Sequence, residues 1–148
     1  MTTEIVPLTA ENIVAFSRLY ASVFNAEPWN DGWTEQAVDE RFRTFVQYPK
    51  FRGLGHFSNG EAVALVFGWG ERWVRGWHFH IKEMCVATQL QGEQAGTQLL
   101  TAFERELAAE GYDRVFLQTG EAVRARKFYE KLGYKPISLV SLAKSIEA

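Results

Sequence analysis

One stretch constrains the fold of this chain more than any other: residues 81–100, IKEMCVATQLQGEQAGTQLL. Ile81 to Val86 is an apolar run of strand length. A short polar turn with Gln91, Gly92 and Gly96 follows. The chain then places Leu99, Leu100, Phe103 and Leu107 at helical spacing. A strand, a glycine-bearing turn and a helix start gather unpaired backbone N–H groups and the positive end of a helix dipole at one spot. Such a turn suits an anion, phosphate above all.

The rest of the chain supplies the surroundings. Glu4 to Leu8 reads as a strand. Thr9 is placed to cap a helix over about 11–24, with Ile13, Phe16, Tyr20, Val23 and Phe24 on one side. Residues 25–33, NAEPWNDGW, form a loop. Thr34 caps a second helix with Val38, Phe42, Phe45 and Val46 on its apolar face, and Pro49 ends it. Strands are expected near 51–58, 61–69 and 75–87, with Ser58-Asn59-Gly60 and Arg75-Gly76 as turns. A helix to about 110 ends at Gly111, a strand covers 114–119, and a helix covers 122–132 with Gly133 after it. In that last helix Ala125, Phe128, Tyr129 and Leu132 are expected to face inward. A final strand is expected over about 135–142. The order β-α-α-β-β-β-α-β-α-β predicts an α/β (α+β) fold with a mixed, mostly antiparallel sheet.

The 148 residues suit one domain over 1–148. A net charge of −2 and the lack of a basic run argue against nucleic acid as a partner. Cys85 is the only cysteine, so no internal disulfide forms, and no metal site is expected. The start MTTEIVPLTA lacks a basic segment followed by an apolar one, and no apolar run reaches membrane length. The expectation is a cytoplasmic protein with no membrane contact.

The glycine turn narrows the phosphate ligand. A P-loop requires Gly-Lys-Ser/Thr, which the chain lacks. A dinucleotide site requires G-x-G-x-x-G early in the chain, whereas Gln91-Gly92-Glu93-Gln94-Ala95-Gly96 is late and differently spaced. Residues 83–100 instead resemble the acetyl-CoA motif of the GCN5-related N-acetyltransferases. Val86 matches the strand end, Gln91 the Arg or Gln that follows, and Gly96 the last glycine. Residues 125–134, ARKFYEKLGY, resemble the later motif of the same family, at the right distance and in the right order. Two departures stand out. Gln94 occupies a position where the family usually has glycine, with its N–H expected in a helical conformation. Ala122 stands where asparagine is usual.

The resemblance implies a single-domain fold with splayed central strands and helices on both faces. It implies transfer of an acetyl group from acetyl-CoA to an amine. Met84, Cys85 and Val86 would bind the cofactor along the strand. Gln91, Gly92, Glu93, Gln94, Ala95, Gly96 and Thr97 would hold its pyrophosphate. Tyr129 matches the tyrosine that protonates the leaving thiolate; a packed core tyrosine is the plainer alternative. Two bases stand open. His80 has the right ordinary pKa and His78 shares its face, while Glu83 lies nearer the cofactor strand. Cys85 reads as a small buried hydrophobe, not a nucleophile.

The five tryptophans hint at an aromatic acceptor site. Glu27, Trp29, Asp31 and Trp33 lie on the 25–33 loop, and aromatic faces beside carboxylates suit a cationic amine. The loop resembles that of family members acting on aminoglycosides or similar small molecules. The acceptor is therefore expected to be a small primary amine, aminoglycoside-like or polyamine-like, with a homodimer possible by resemblance. Two alternatives stand beside it: a non-catalytic CoA-binding module, and an acetyltransferase acting on proteins or peptides.

Overall fold

A computed structural model describes residues 2–92, 94–120 and 124–147. They divide after Gln118 into two compact units. The first unit carries β1 (Thr3–Pro7), a 3-10 turn (Ile13–Phe16), α1 (Ser17–Asn25), α2 (Glu35–Phe45), β2 (Phe51–Ser58), β3 (Glu61–Arg72), β4 (Trp77–Val86), α3 (Ala95–Ala109) and β5 (Tyr112–Phe116). The second carries α4 (Arg124–Lys131).

The five strands lie in the order β1-β2-β3-β4-β5, antiparallel except for the parallel β4–β5 pair. Local chemistry sets the connections. Asn59 and Gly60 both have positive φ, +52° and +80°, as the tight β2–β3 turn requires. The Thr34 hydroxyl accepts the Ala37 N–H at 3.1 Å and starts α2. Thr9 and Asn12 cap one another, but the chain first makes a 3-10 turn and becomes α-helical only at Ser17.

Alternation along β3 divides the core. Leu65 and Phe67 pack with Phe16, Tyr20, Val38 and Phe42 under α1 and α2. Phe79 of β4 meets Phe103 of α3 edge-on at 5.3 Å on the opposite face. Helices thus cover both faces, each burying an apolar stripe.

Two features of β4 position the site. Phe67 pairs with Glu83 but Gly68 pairs with Ile81, so Lys82 is an extra residue and forms a bulge. Gly68 faces the bulge, where a Cβ would lie 1.8 Å from the His80 carbonyl oxygen. Pairing of β4 with β5 ends at His80 and Phe116, while pairing with β3 continues to Val86. Among the described residues no strand lies on the β5 side of 81–86. The splayed central strands are therefore present.

The last expected strand is absent: residues 135–147 belong to no strand among the described residues. Pro136 lacks a donor for a ladder, and Leu139, Val140 and Leu142 remain exposed. α4 buries no residue fully; Ala125, Phe128, Tyr129 and Leu132 are half-buried. No helix among the described residues is long and apolar enough to cross a membrane.

Two tests follow from these contacts. Gly68→Ala is expected to destabilise the protein by about 2 kcal/mol, because backbone must move to admit the methyl group. An unchanged urea midpoint would contradict the close approach. His56 is buried in β2, and burial holds its imidazole below the ordinary value of 6.5. The unfolded chain therefore takes up this proton first, and stability falls as pH drops below 6.5 towards the folded-state value. His56→Gln is expected to narrow the difference between urea midpoints at about pH 7.5 and 5.5. An equal difference in both proteins would count against it.

Candidate active site

The bulge reverses the alternation of β4. Glu83 pairs with Phe67, and His80 pairs with Trp69. Phe67 and Trp69 both pack against Phe45 of α2, so Glu83 and His80 share that face although three residues apart. In an unbroken strand they would point to opposite faces. The two proposed bases are thus brought to one surface, with His78 beside them.

Their surroundings differ. Glu83 is mostly buried and accepts hydrogen bonds from the Tyr20 hydroxyl and from Arg41 Nη2, the latter at 3.2 Å. Burial, and then the Glu83 carboxylate, push the Tyr20 hydroxyl far up, so it stays protonated and donates. The Arg41 guanidinium lies 4.7 Å from the Phe45 ring centroid and 5.4 Å from that of Trp33. Its Nε has no partner among the described residues. These two donors hold the carboxylate in one place.

His80 is more open. Its Nε2 lies 2.9 Å from Glu71 Oε1, and its ring stacks on Phe116 at 5.2 Å and 14°. His78 stacks on Trp73 and lies 3.6 Å from Asp113. Cys85 is buried in the core beneath α1 and α2, and burial pushes its thiol well up, which suits an inert hydrophobe.

The turn after β4 is tied to the strand through Gln91, whose Nε2 donates to the Val86 carbonyl at 3.0 Å. Gly92 has φ +93°. Gln94 has φ +74° and ψ −7°, a left-handed conformation and not the expected helical one. This explains why glycine suits the position: a side chain there costs about 1 kcal/mol. Among the described residues no side chain caps α3, and no acidic residue lies in its first turn, where Ala95, Gly96 and Thr97 stand. The free N–H groups and dipole of a 15-residue helix therefore remain available to an anion. Together with the edge of Met84 to Val86, which pairs with no strand on the β5 side among the described residues, this fits a long ligand with an extended arm and a phosphate. Glu93 and Ala122 lie outside the described residues.

The loop before α2 is pinned by Asn25, which bonds both the N–H and the carbonyl of Trp33, at 2.6 and 2.8 Å. Asp31 accepts the Trp33 indole N–H at 3.1 Å. Trp33 packs on Tyr20 and Trp29 on Phe24, while Glu27 is exposed. In the second unit, Tyr129 lies on α4 against Phe128 and Tyr134, and its carbonyl accepts the Tyr134 N–H at 3.1 Å. Among the described residues no group of three His, Cys, Asp or Glu side chains could hold a metal ion.

The profile of the acetyltransferase (GNAT) family matches residues 15–134. The chain belongs to this family. It is accordingly an N-acetyltransferase. An aminoglycoside acetyltransferase from an uncultured soil metagenomic sample, in complex with sisomicin, is 16% identical with a TM-score of 0.78, covering 98% of this chain and 97% of that one. An aminoglycoside N-acetyltransferase in complex with CoA is 14% identical with a TM-score of 0.77, over 97% and 95%. A ribosomal-protein-alanine N-acetyltransferase from Brucella melitensis biovar Abortus 2308 is 15% identical with a TM-score of 0.77, over 99% and 100%. At these identities the likeness shows the fold. No curated protein sequence matches the chain.

Tyr20 and Arg41 escaped the sequence reading as partners of Glu83, since they lie 63 and 42 residues away. Arg41 carried a signal: it sits three residues after Val38 and four before Phe45, inside an apolar helical stripe. Gln94→Gly is expected to raise stability by about 0.5–1 kcal/mol, the relieved strain exceeding the added chain entropy. A loss of stability in thermal unfolding would contradict the left-handed turn.

Proposed function

We propose that the chain, as one acetyltransferase domain over residues 1–148, transfers an acetyl group from acetyl-CoA to a primary amine of a small cationic molecule. The observation that carries this reading is that the edge of β4 past His80, which pairs with no strand among the described residues on the β5 side, is followed in the chain by a turn and the uncapped start of α3. The backbone groups of Met84, Cys85 and Val86 would hold the pantetheine arm as an added strand. The N–H groups of Gly92, Glu93, Gln94, Ala95, Gly96 and Thr97 would hold the pyrophosphate, with Gln91 bracing the turn. When bound, acetyl-CoA supplies the activated acetyl thioester.

The chain's own groups divide the remaining work. Glu83, already accepting two hydrogen bonds, holds negative charge towards the acceptor ammonium. His80 carries the base role, because its ring is open to water and is not enclosed by donors. Tyr129 donates the proton that the leaving thiolate takes up, as the motif in ARKFYEKLGY implies. The exposed Glu27 and the aromatic faces of Trp29 and Trp33 favour a cationic acceptor, with Asp31 holding Trp33 and His78 lining the strand side. A protein or peptide amine is the competing acceptor. The same reading takes the protein to be cytoplasmic, and a homodimer to be compatible with it.

Calorimetry with acetyl-CoA, CoA and ATP, followed by thiol-release assays on aminoglycosides, polyamines and N-terminal peptides, tests the reading. The expected result is micromolar binding of the two CoA species, weak ATP binding and turnover on small amines. Turnover confined to peptides would overturn the small-molecule acceptor. Tyr129→Phe is expected to lower kcat by about 10- to 100-fold with acetyl-CoA affinity unchanged. An unchanged kcat would remove Tyr129 from the acid role.

A further inference from the structure

His80 is the last residue of β4 that pairs with β5, so its ring stands at the fork where the two strands part. Three contacts define its state. Phe116 lies against one ring face, nearly parallel. Trp69 is its cross-strand neighbour on β3. Glu71, which pairs with His78, reaches diagonally to His80 and places Oε1 2.9 Å from Nε2.

Such a carboxylate fixes a tautomer. An ionised Glu71 can only accept, so Nε2 carries the proton and donates it. Nδ1 is left with its lone pair. We infer that Glu71 is a positioning residue for the acetyl-transfer reaction, holding His80 with Nδ1 free to take a proton from the acceptor ammonium. The inference rests on the proposed acetyl transfer to an amine. In the step it serves, the N–H bond of the ammonium breaks, directly or through one water. The proton joins Nδ1, and the amine keeps the electron pair as a nucleophile. His80 becomes an imidazolium, and the Glu71 carboxylate offsets its charge. Glu83, held by Tyr20 and Arg41, stays free of this proton.

Other charged groups face the same region. They are His78 and Glu83 on β4, Asp113 beside His78 on β5, and Arg114, whose guanidinium lies 4.7 Å from the Phe116 ring centroid. Among the described residues only Glu71 is within hydrogen-bond reach of the His80 ring.

The chain has three histidines, so imidazole nitrogens can be followed one by one in a 15N-histidine-labelled sample, assigned with single His→Gln variants. Glu71→Gln keeps an acceptor at the same place and removes the charge. The wild type is expected to show neutral His80 protonated on Nε2. In Glu71→Gln, whose amide can turn either its oxygen or its NH2 to the ring, the two neutral tautomers of His80 are expected to become mixed, with the tautomer of His56 unchanged. kcat is expected to fall by about 10-fold with KM for acetyl-CoA and the melting temperature unchanged. An Nδ1-protonated tautomer in the wild type, or the same single tautomer in both proteins, would overturn the inference even if acetyl transfer proceeds. A change of tautomer with an unchanged kcat would also overturn it. If the wild type acetylates no amine while the change of tautomer is present, the acetyl-transfer reading fails and the role of Glu71 with it.

Discussion

The site depends on how β4 is paired. On one side it follows β3 to Val86; on the other it leaves β5 at His80. Backbone N–H and C=O groups need partners, and an unpaired edge inside a sheet is a standing invitation to an extended ligand. The bulge at Lys82 lies just past the point of departure, and a bulge increases local twist. Gly68 makes the bulge possible by letting the His80 carbonyl approach where any side chain would collide. The free edge, a 3-10 turn at Thr88–Leu90, Gly92 and the start of α3 then follow in chain order.

The same bulge decides the electrostatics. By adding one residue it brings His80 and Glu83 to one face, where they meet different neighbours. Glu83 enters a pocket closed by Tyr20, Arg41 and the aromatic rings around them. A buried carboxylate is tolerated because both donors are already in place. His80 lies at the fork with one carboxylate at its edge and one ring on its face. The proposed division of labour between charge and base rests on these contacts.

Much of this was legible in the sequence because it depends on neighbours in the chain. Asn59-Gly60, Thr34, Gly111 and Gly133 mark their turns and caps through local backbone chemistry, and the structure places them there. The strand–turn–helix at 81–100 declared itself by the order and spacing of its apolar residues and glycines. The bulge did not, since it exists only in the register between β3 and β4. The left-handed Gln94 was hidden for a related reason: a non-glycine residue gives no local sign of positive φ. Residues 135–142 have strand-like composition, but a strand needs a partner, and Pro136 weakens the pairing. Glu71 became visible only when a cross-strand contact set it against His80, and Arg41, marked in the sequence by its place in an apolar stripe, gained its partner Glu83 only through helix–sheet packing.

The central claim is that the open edge of β4 and the start of α3 form one cofactor cradle. Amide hydrogen exchange with and without acetyl-CoA, using ATP as control, tests it most directly. The account predicts that acetyl-CoA slows exchange in peptides covering 81–97, leaves those covering β2 unchanged, and that ATP does neither. Protection by acetyl-CoA that falls elsewhere and spares 81–97 would contradict it.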